Sequence, residues 1–159
     1  MRKRFELQYE LGAKAIEKIQ IPDRSRDELP PVLRALQQIY SDPELNRAVF
    51  DILEKQIIPA SAKKHMGRPG MSLWEILVLG VVRLTLDANY DRLEHIANYD
   101  MLVRSLLGIS NFGDNLKRYP LQTLRDNVGL LSEETLAAVN DMVVGVGHEL
   151  LKKKRNRFR

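Results

Sequence analysis

Hydrophobic positions recur along most of this 159-residue chain at spacings of three and four, the period of an amphipathic α-helix. Sustained alternation of apolar and polar residues, which marks a half-buried strand, is nearly absent. Proline, glycine and capping residues divide the pattern into predicted helices at about residues 3–19, 30–40, 43–58, 72–86, 90–97, 101–107, 120–128 and from 133 into the last residues. The sequence therefore predicts an all-α fold, a multi-helix bundle.

Residues 59–71 show no helical period and combine basic residues with a Gly-Arg-Pro-Gly turn. We interpret this stretch as an exposed basic hinge. It divides the chain into an N-terminal helical segment, 1–58, and a helical bundle, 72–151, and a basic tail follows at 152–159. Within the bundle, Ser72 and Glu75 have the spacing of a capping box, and the helix that they begin is apolar nearly all round. We expect that helix at the centre of the bundle.

The charge of the chain is distributed unevenly. Twenty-five lysines and arginines against 21 acidic residues give a net charge of +4. The tail holds six of the basic residues and no acid, so the remaining 19 are outnumbered and the body carries a charge of −2. Electrostatic affinity for DNA would therefore come from local basic patches.

The first basic patch is the hinge, where Lys63, Lys64 and Arg68 are candidate DNA contacts. Its Gly-Arg-Pro core resembles the AT-hook, in which an extended backbone lays an arginine into a narrow minor groove. The second arginine of a full hook is missing. The alternative is a solvated loop between two segments.

The second basic patch is the tail, with candidate contacts at Lys152, Lys153, Lys154 and Arg155. Such clusters bind phosphates by releasing counterions, without sequence preference. Three alternatives remain open: a frayed helix end, favourable placement of cations at a helix C-terminus, and a truncation point.

The predicted short helices between residues 87 and 107 have the arrangement of a helix-turn-helix, whose second helix enters the major groove. We expect the exposed side chains of that second helix to be Asp100, Val103 or Arg104, and Ser105. Of these, only Arg104 is a strong candidate for a base-edge or phosphate contact. Arg92, Tyr90 and Tyr99 are candidates for backbone contacts. The alternative is an ordinary pair of short helices, because any helical bundle contains such pairs and acidic residues at 87, 91, 94 and 100 would repel phosphates.

The sequence gives little support for a catalytic site or a metal site. The chain has no cysteine, which excludes disulfide scaffolds and cysteine-based zinc sites. His65, His95 and His148 lie far apart, and Asp87 and Asp91 are better explained as residues at a helix start. No P-loop, Rossmann fingerprint or nucleophile elbow occurs. We therefore predict no metal, no cofactor and no catalytic residue.

The longest apolar run is far shorter than a membrane span, and no apolar stretch follows the basic N-terminus. The expected location is the cytoplasm, without a membrane partner.

Several strings together resemble a known family. They include the run from Gly67 to Gly80, then Tyr90-Asp91-Arg92-Leu93-Glu94, Thr123-Leu124-Arg125-Asp126-Asn127-Val128-Gly129 and Val139-Asn140-Asp141-Met142-Val143-Val144. These strings are similar to the InsH-like N-terminal domain of bacterial insertion-sequence transposases, of the ISNCY type. The resemblance covers roughly residues 30–155.

The resemblance implies a helical part that binds transposon ends and assembles the complex. In the family an RNase H-like domain follows, whose three acidic residues hold two metal ions for DNA cleavage. None of that triad maps onto this chain, so we expect no cleavage by it and read it as a fragment, a truncated product or a separately used half.

The function expected from the sequence is thus the DNA-binding and assembly part of a transposase, with DNA and either a second copy or the full-length transposase as partners. The alternative is a helical dimerisation module, or a truncated inhibitor of transposition, with little affinity for DNA.

Overall fold

The structure is a computed structural model that describes residue 4, residues 13–62, with the backbone alone at 59–62, and residues 70–111 and 116–158. Within these ranges all regular structure is helical, and no strand occurs. One 3-10 turn spans Ile16–Lys18, and the α-helices are α1 (Leu29–Ser41), α2 (Pro43–Ala62), α3 (Leu73–Thr85), α4 (Tyr90–Tyr99), α5 (Met101–Leu106), α6 (Leu121–Val128) and α7 (Glu133–Arg157). The predicted all-α, multi-helix fold is confirmed.

Helix starts follow the capping signals in the sequence. The Ser72 hydroxyl accepts the backbone N–H of Glu75 at 3.2 Å, and the Glu75 carboxylate accepts the backbone N–H of Ser72 at 3.1 Å, which completes the predicted capping box. Asp100 caps α5 and Ser132 caps α7 in the same way, each accepting a backbone N–H three residues later. These side chains satisfy N–H groups that have no partner inside the helix.

The predicted helix at 3–19 is wrong over its described C-terminal part, where residues 13–19 form only the short 3-10 turn. Gln37 on α1 donates its side-chain amide to the carbonyls of Ile16 at 2.8 Å and Ile19 at 2.9 Å. The Ile16 carbonyl also accepts the backbone N–H of Ile19 at 3.3 Å inside the short turn, so the contacts with Gln37 supplement a single turn and do not extend it into a helix. Apart from Arg4, the rest of that prediction lies outside the described residues.

The predicted end of the third segment before Pro59 is also wrong, because α2 continues to residue 62. A proline removes one backbone donor, but the hydrogen bonds of the neighbouring residues still hold the last turn. The proposed hinge therefore begins as helix. Its residues 63–69 lie outside the described residues.

Helix α3 lies at the centre of the fold, as expected from its apolar composition. Every residue from Leu73 to Val82 is buried. Trp74 packs against Tyr40 of α1 and Phe50 of α2, with ring centroids 5.2 Å and 6.4 Å apart, and its indole N–H donates to the carbonyl of Leu106 at 2.8 Å. Helices from both predicted segments thus share one hydrophobic core.

Helix α7 packs along α1 and also contacts α2 and α3. Val139 and Val143 are its buried residues. The predicted basic tail is the C-terminal end of this helix, which runs without a break to Arg157. No helix in the described ranges has both the length and the apolar character needed to cross a bilayer.

Candidate nucleic-acid interface

The short helix pair predicted to read DNA consists of α4 and α5, which are joined through the single residue Asp100. Helix α5 turns Val103 and Arg104 into the core, where they are 0% and 1% exposed. Met101 is the exposed residue of this helix, at 66%. The expectation that Val103 or Arg104 is exposed is therefore wrong, and the one strong candidate of α5 for a base-edge contact is buried.

Arg104 donates to three groups of the chain instead. Its guanidinium nitrogens bind the carbonyl of Ala97 at 2.9 Å, the carbonyl of Lys117 at 2.8 Å and the side-chain oxygen of Asn111 at 3.1 Å. These contacts join α4, α5 and the segment before α6. A buried cation held in this way positions the backbone and is not available to phosphates.

A second buried group, the carboxylate of Glu75 on α3, holds the same segment. It accepts the ammonium of Lys117 at 3.0 Å and the hydroxyl of Tyr119, in addition to its capping contacts with Ser72. Burial raises the pKa of Glu75, but Lys117, Tyr119 and the Ser72 amide together outweigh burial and lower the pKa below its ordinary value. Glu75 is therefore an ionised, well-satisfied structural residue.

The side chain of Asn98 on α4 also holds the segment before α6. It donates to the carbonyl of Tyr119 at 3.0 Å and accepts the backbone N–H of Tyr119 at 2.7 Å. Glu75, Asn98 and Arg104 thus fix residues 117–119 across three helices. Sequence reasoning assigned none of these contacts, because the partners are separated by 7 to 44 positions in the chain and no local pattern marks them.

The outer face of α4 keeps two of the proposed backbone contacts accessible. Arg92 is exposed, and Tyr99 is 63% exposed with the guanidinium of Arg118 at 5.0 Å from its ring centre. Tyr90 is half-buried, and its ring is covered by the guanidinium of Arg83 at 4.4 Å. Cation–aromatic pairs of this kind occur widely on protein surfaces and do not by themselves indicate a ligand.

The C-terminal end of α7 is the most basic exposed surface of the described residues. No acidic residue occurs from 150 to 158, and five cations are exposed there: Lys152, Lys153, Lys154, Arg155 and Arg157. Lys152 contacts Glu149 at 3.3 Å, and Lys154 lies 3.6 Å from Asp23. Successive residues of an α-helix point about 100° apart, so these cations radiate around the axis of α7 and form a basic cluster at its C-terminal end. The same cations also interact favourably with the negative end of the helix dipole.

An open groove of about 740 Å³ lies beside these cations. Its lining includes His148, Leu151 and Phe158 in addition to basic side chains. Leu151 is 59% exposed and Phe158 is 79% exposed. The end of α7 therefore combines positive charge with accessible apolar surface.

The remaining residues considered in the sequence are the cations of the hinge, the possible metal ligands and Asp87. Lys63, Lys64 and Arg68 lie outside the described residues, so the AT-hook-like motif is not placed. No three histidine, aspartate or glutamate side chains of the described ranges converge as metal ligands. Asp87 has φ of 46°, a left-handed conformation that suits the turn between α3 and α4.

The chain matches no protein-family model, no curated protein and no solved structure at a significant level.

Proposed function

We propose that this chain contacts DNA through the basic end of α7 and serves as the DNA-binding and assembly part of an insertion-sequence transposase. The observation that carries the proposal is the cluster of five exposed cations from Lys152 to Arg157 at the end of one helix. The all-α fold agrees with the helical part that the sequence resemblance implies.

A contact of this kind is electrostatic. Clustered lysines and arginines neutralise nearby phosphates and release counterions, which gives affinity without base readout. The acidic remainder of the chain confines that affinity to the basic end. Groove reading by α5 is not part of the proposal because Arg104 is buried. Arg92 and the hinge residues Lys63, Lys64 and Arg68 remain predicted contacts, but the proposal does not depend on them.

The proposal is tested by measuring binding of a fluorescent mixed-sequence DNA duplex by anisotropy over a series of salt concentrations. The test variant carries Lys153→Glu and Arg157→Glu, and the matched control carries Arg47→Glu and Lys55→Glu on exposed positions of α2. We expect the slope of log Kd against log salt to fall by about 2 in the test variant, because each lost phosphate contact removes about 0.9. Equal slopes in both variants, or no binding by the unmodified chain, would contradict the proposal.

The second candidate function is pairing between copies of the chain, with little DNA affinity. The observation that favours it is a series of exposed apolar residues along α7 and at its C-cap, where Val144, Leu151 and Phe158 are 45%, 59% and 79% exposed. They recur every seven positions and therefore lie on one side of the helix, where a partner could cover them together. A chain that forms a dimer in a sizing measurement and fails to bind the duplex would support this candidate over the first.

A further inference from the structure

Helix α7 carries a second stripe beside the one that packs on α1. We call it the outer seam. Its exposed members alternate at spacings of three and four: Glu134, Ala137, Asp141, Val144, His148, Leu151, Arg155 and Phe158. Every second member is apolar, so apolar residues recur every seven positions. This heptad spacing keeps one face of a helix aligned with a partner helix.

We propose that the outer seam packs against the outer seam of a second copy of this chain, with the two α7 helices antiparallel. The inference rests on the second candidate function, pairing of copies, and does not require contact with DNA. It adds which surface pairs and in which direction.

The charges along the seam select the partner and its direction. The polar seam positions change from Glu134 and Asp141 near the start of α7 to Arg155 near its end. In a parallel pair each position meets its own copy, so Arg155 would face Arg155 and Asp141 would face Asp141. In an antiparallel pair the acidic part of one seam lies beside the basic part of the other. The charges of two outer seams are therefore complementary only when the two helices are antiparallel.

The charges also select a register, in which Arg155 lies between Glu134 and Asp141 of the partner subunit. This register places Ala137 in one layer with Arg155 of the partner subunit, and Val144 in one layer with His148 of the partner subunit. The twofold axis then lies between positions 144 and 148. Lys153 and Arg157 point away from the seam at the helical period, so pairing leaves them open to phosphates.

The oligomeric state of the full chain tests the interface. Sedimentation equilibrium is expected to show a concentration-dependent dimer, since half of the seam positions are polar. Leu151→Ser should weaken the dimer by about tenfold or more through lost apolar burial. Leu84→Ser is the matched control, because Leu84 is 42% exposed on α3 and lies outside the seam. Circular dichroism establishes that both variants fold.

The outcomes distinguish the inference about the outer seam from the second candidate function, pairing of copies. A monomeric chain at all concentrations would overturn both the inference and the second candidate function. A dimer that Leu151→Ser leaves intact would overturn the inference alone, because copies would then pair through another surface.

The direction of pairing is tested by disulfide trapping, since the chain contains no cysteine. In the proposed register two copies of position 144 are about 6 Å apart along the helix axis, whereas two copies of position 151 are about 15 Å apart. We therefore expect Val144→Cys to cross-link and Leu151→Cys not to cross-link. In a parallel pair every position meets its own copy, so efficient cross-linking of both variants would overturn the proposed orientation.

Discussion

The carboxylate of Glu75 and the guanidinium of Arg104 are both buried, and each is held by hydrogen bonds from distant parts of the chain. An ionised group in the core is tolerated when its remaining donors or acceptors are satisfied. Here both groups hold residues 117–119 against α3, α4 and α5. Their charges therefore stabilise the fold, and Arg104, the strongest candidate for a DNA contact in the sequence of the helix pair, has a structural role instead.

The lowered pKa of Glu75 predicts a pH dependence of stability. A carboxyl group whose pKa is lower in the folded state contributes stability above its ordinary pKa of about 4.5 and loses it as the pH falls through the folded value. We expect Glu75→Gln to reduce the free energy of unfolding by about 2 kcal/mol at neutral pH, because the charged hydrogen bonds from Lys117 and Tyr119 are lost. At pH 3 the difference should be smaller.

Urea unfolding at both pH values measures this effect. The control is Glu28→Gln, an exposed position whose side chain makes no capping bond. If Glu75→Gln lowers the free energy of unfolding by the same amount at both pH values, the ionised carboxylate is not what stabilises the fold.

Whole helices show which structural features a local pattern can predict. The starts of α3, α5 and α7 were predictable because each cap and its partner lie within three residues. Two predictions were wrong because the decisive partners are distant in the sequence. Residues 13–19 are held by Gln37, and Arg104 is buried against the Lys117 carbonyl; only the folded chain brings these groups together. The basic end of α7 was predictable from composition, since charge and exposure go together.

Two glycines allow a paired prediction at this level. Gly145 lies inside α7 with no atom within 4 Å of an added Cβ, so Gly145→Ala should raise the free energy of unfolding by about 1 kcal/mol through helix propensity. Gly108 has φ of 79° after the end of α5, so Gly108→Ala should lower it by about 1 kcal/mol. Thermal or urea unfolding of both variants measures the two signs, and equal signs would contradict the helix and turn described.

At the scale of the molecule, a mildly acidic body carries one strongly basic helix end. The body is built around α3, and one core contains side chains from before and after the proposed hinge. The long helix α7 packs on α1 through one stripe and exposes a second stripe and its cations on other faces. In the two proposals, α7 contacts DNA through cations such as Lys153 and Arg157 and contacts a second copy through its outer seam.

The most direct test of DNA contact through the end of α7 is an NMR titration of the labelled chain with duplex DNA at low salt. We predict that amide shifts change first and most within residues 150–158, and that α5 changes little because Arg104 is held in the core. Shift changes centred on α4 and α5, or none at any DNA concentration, would contradict the account.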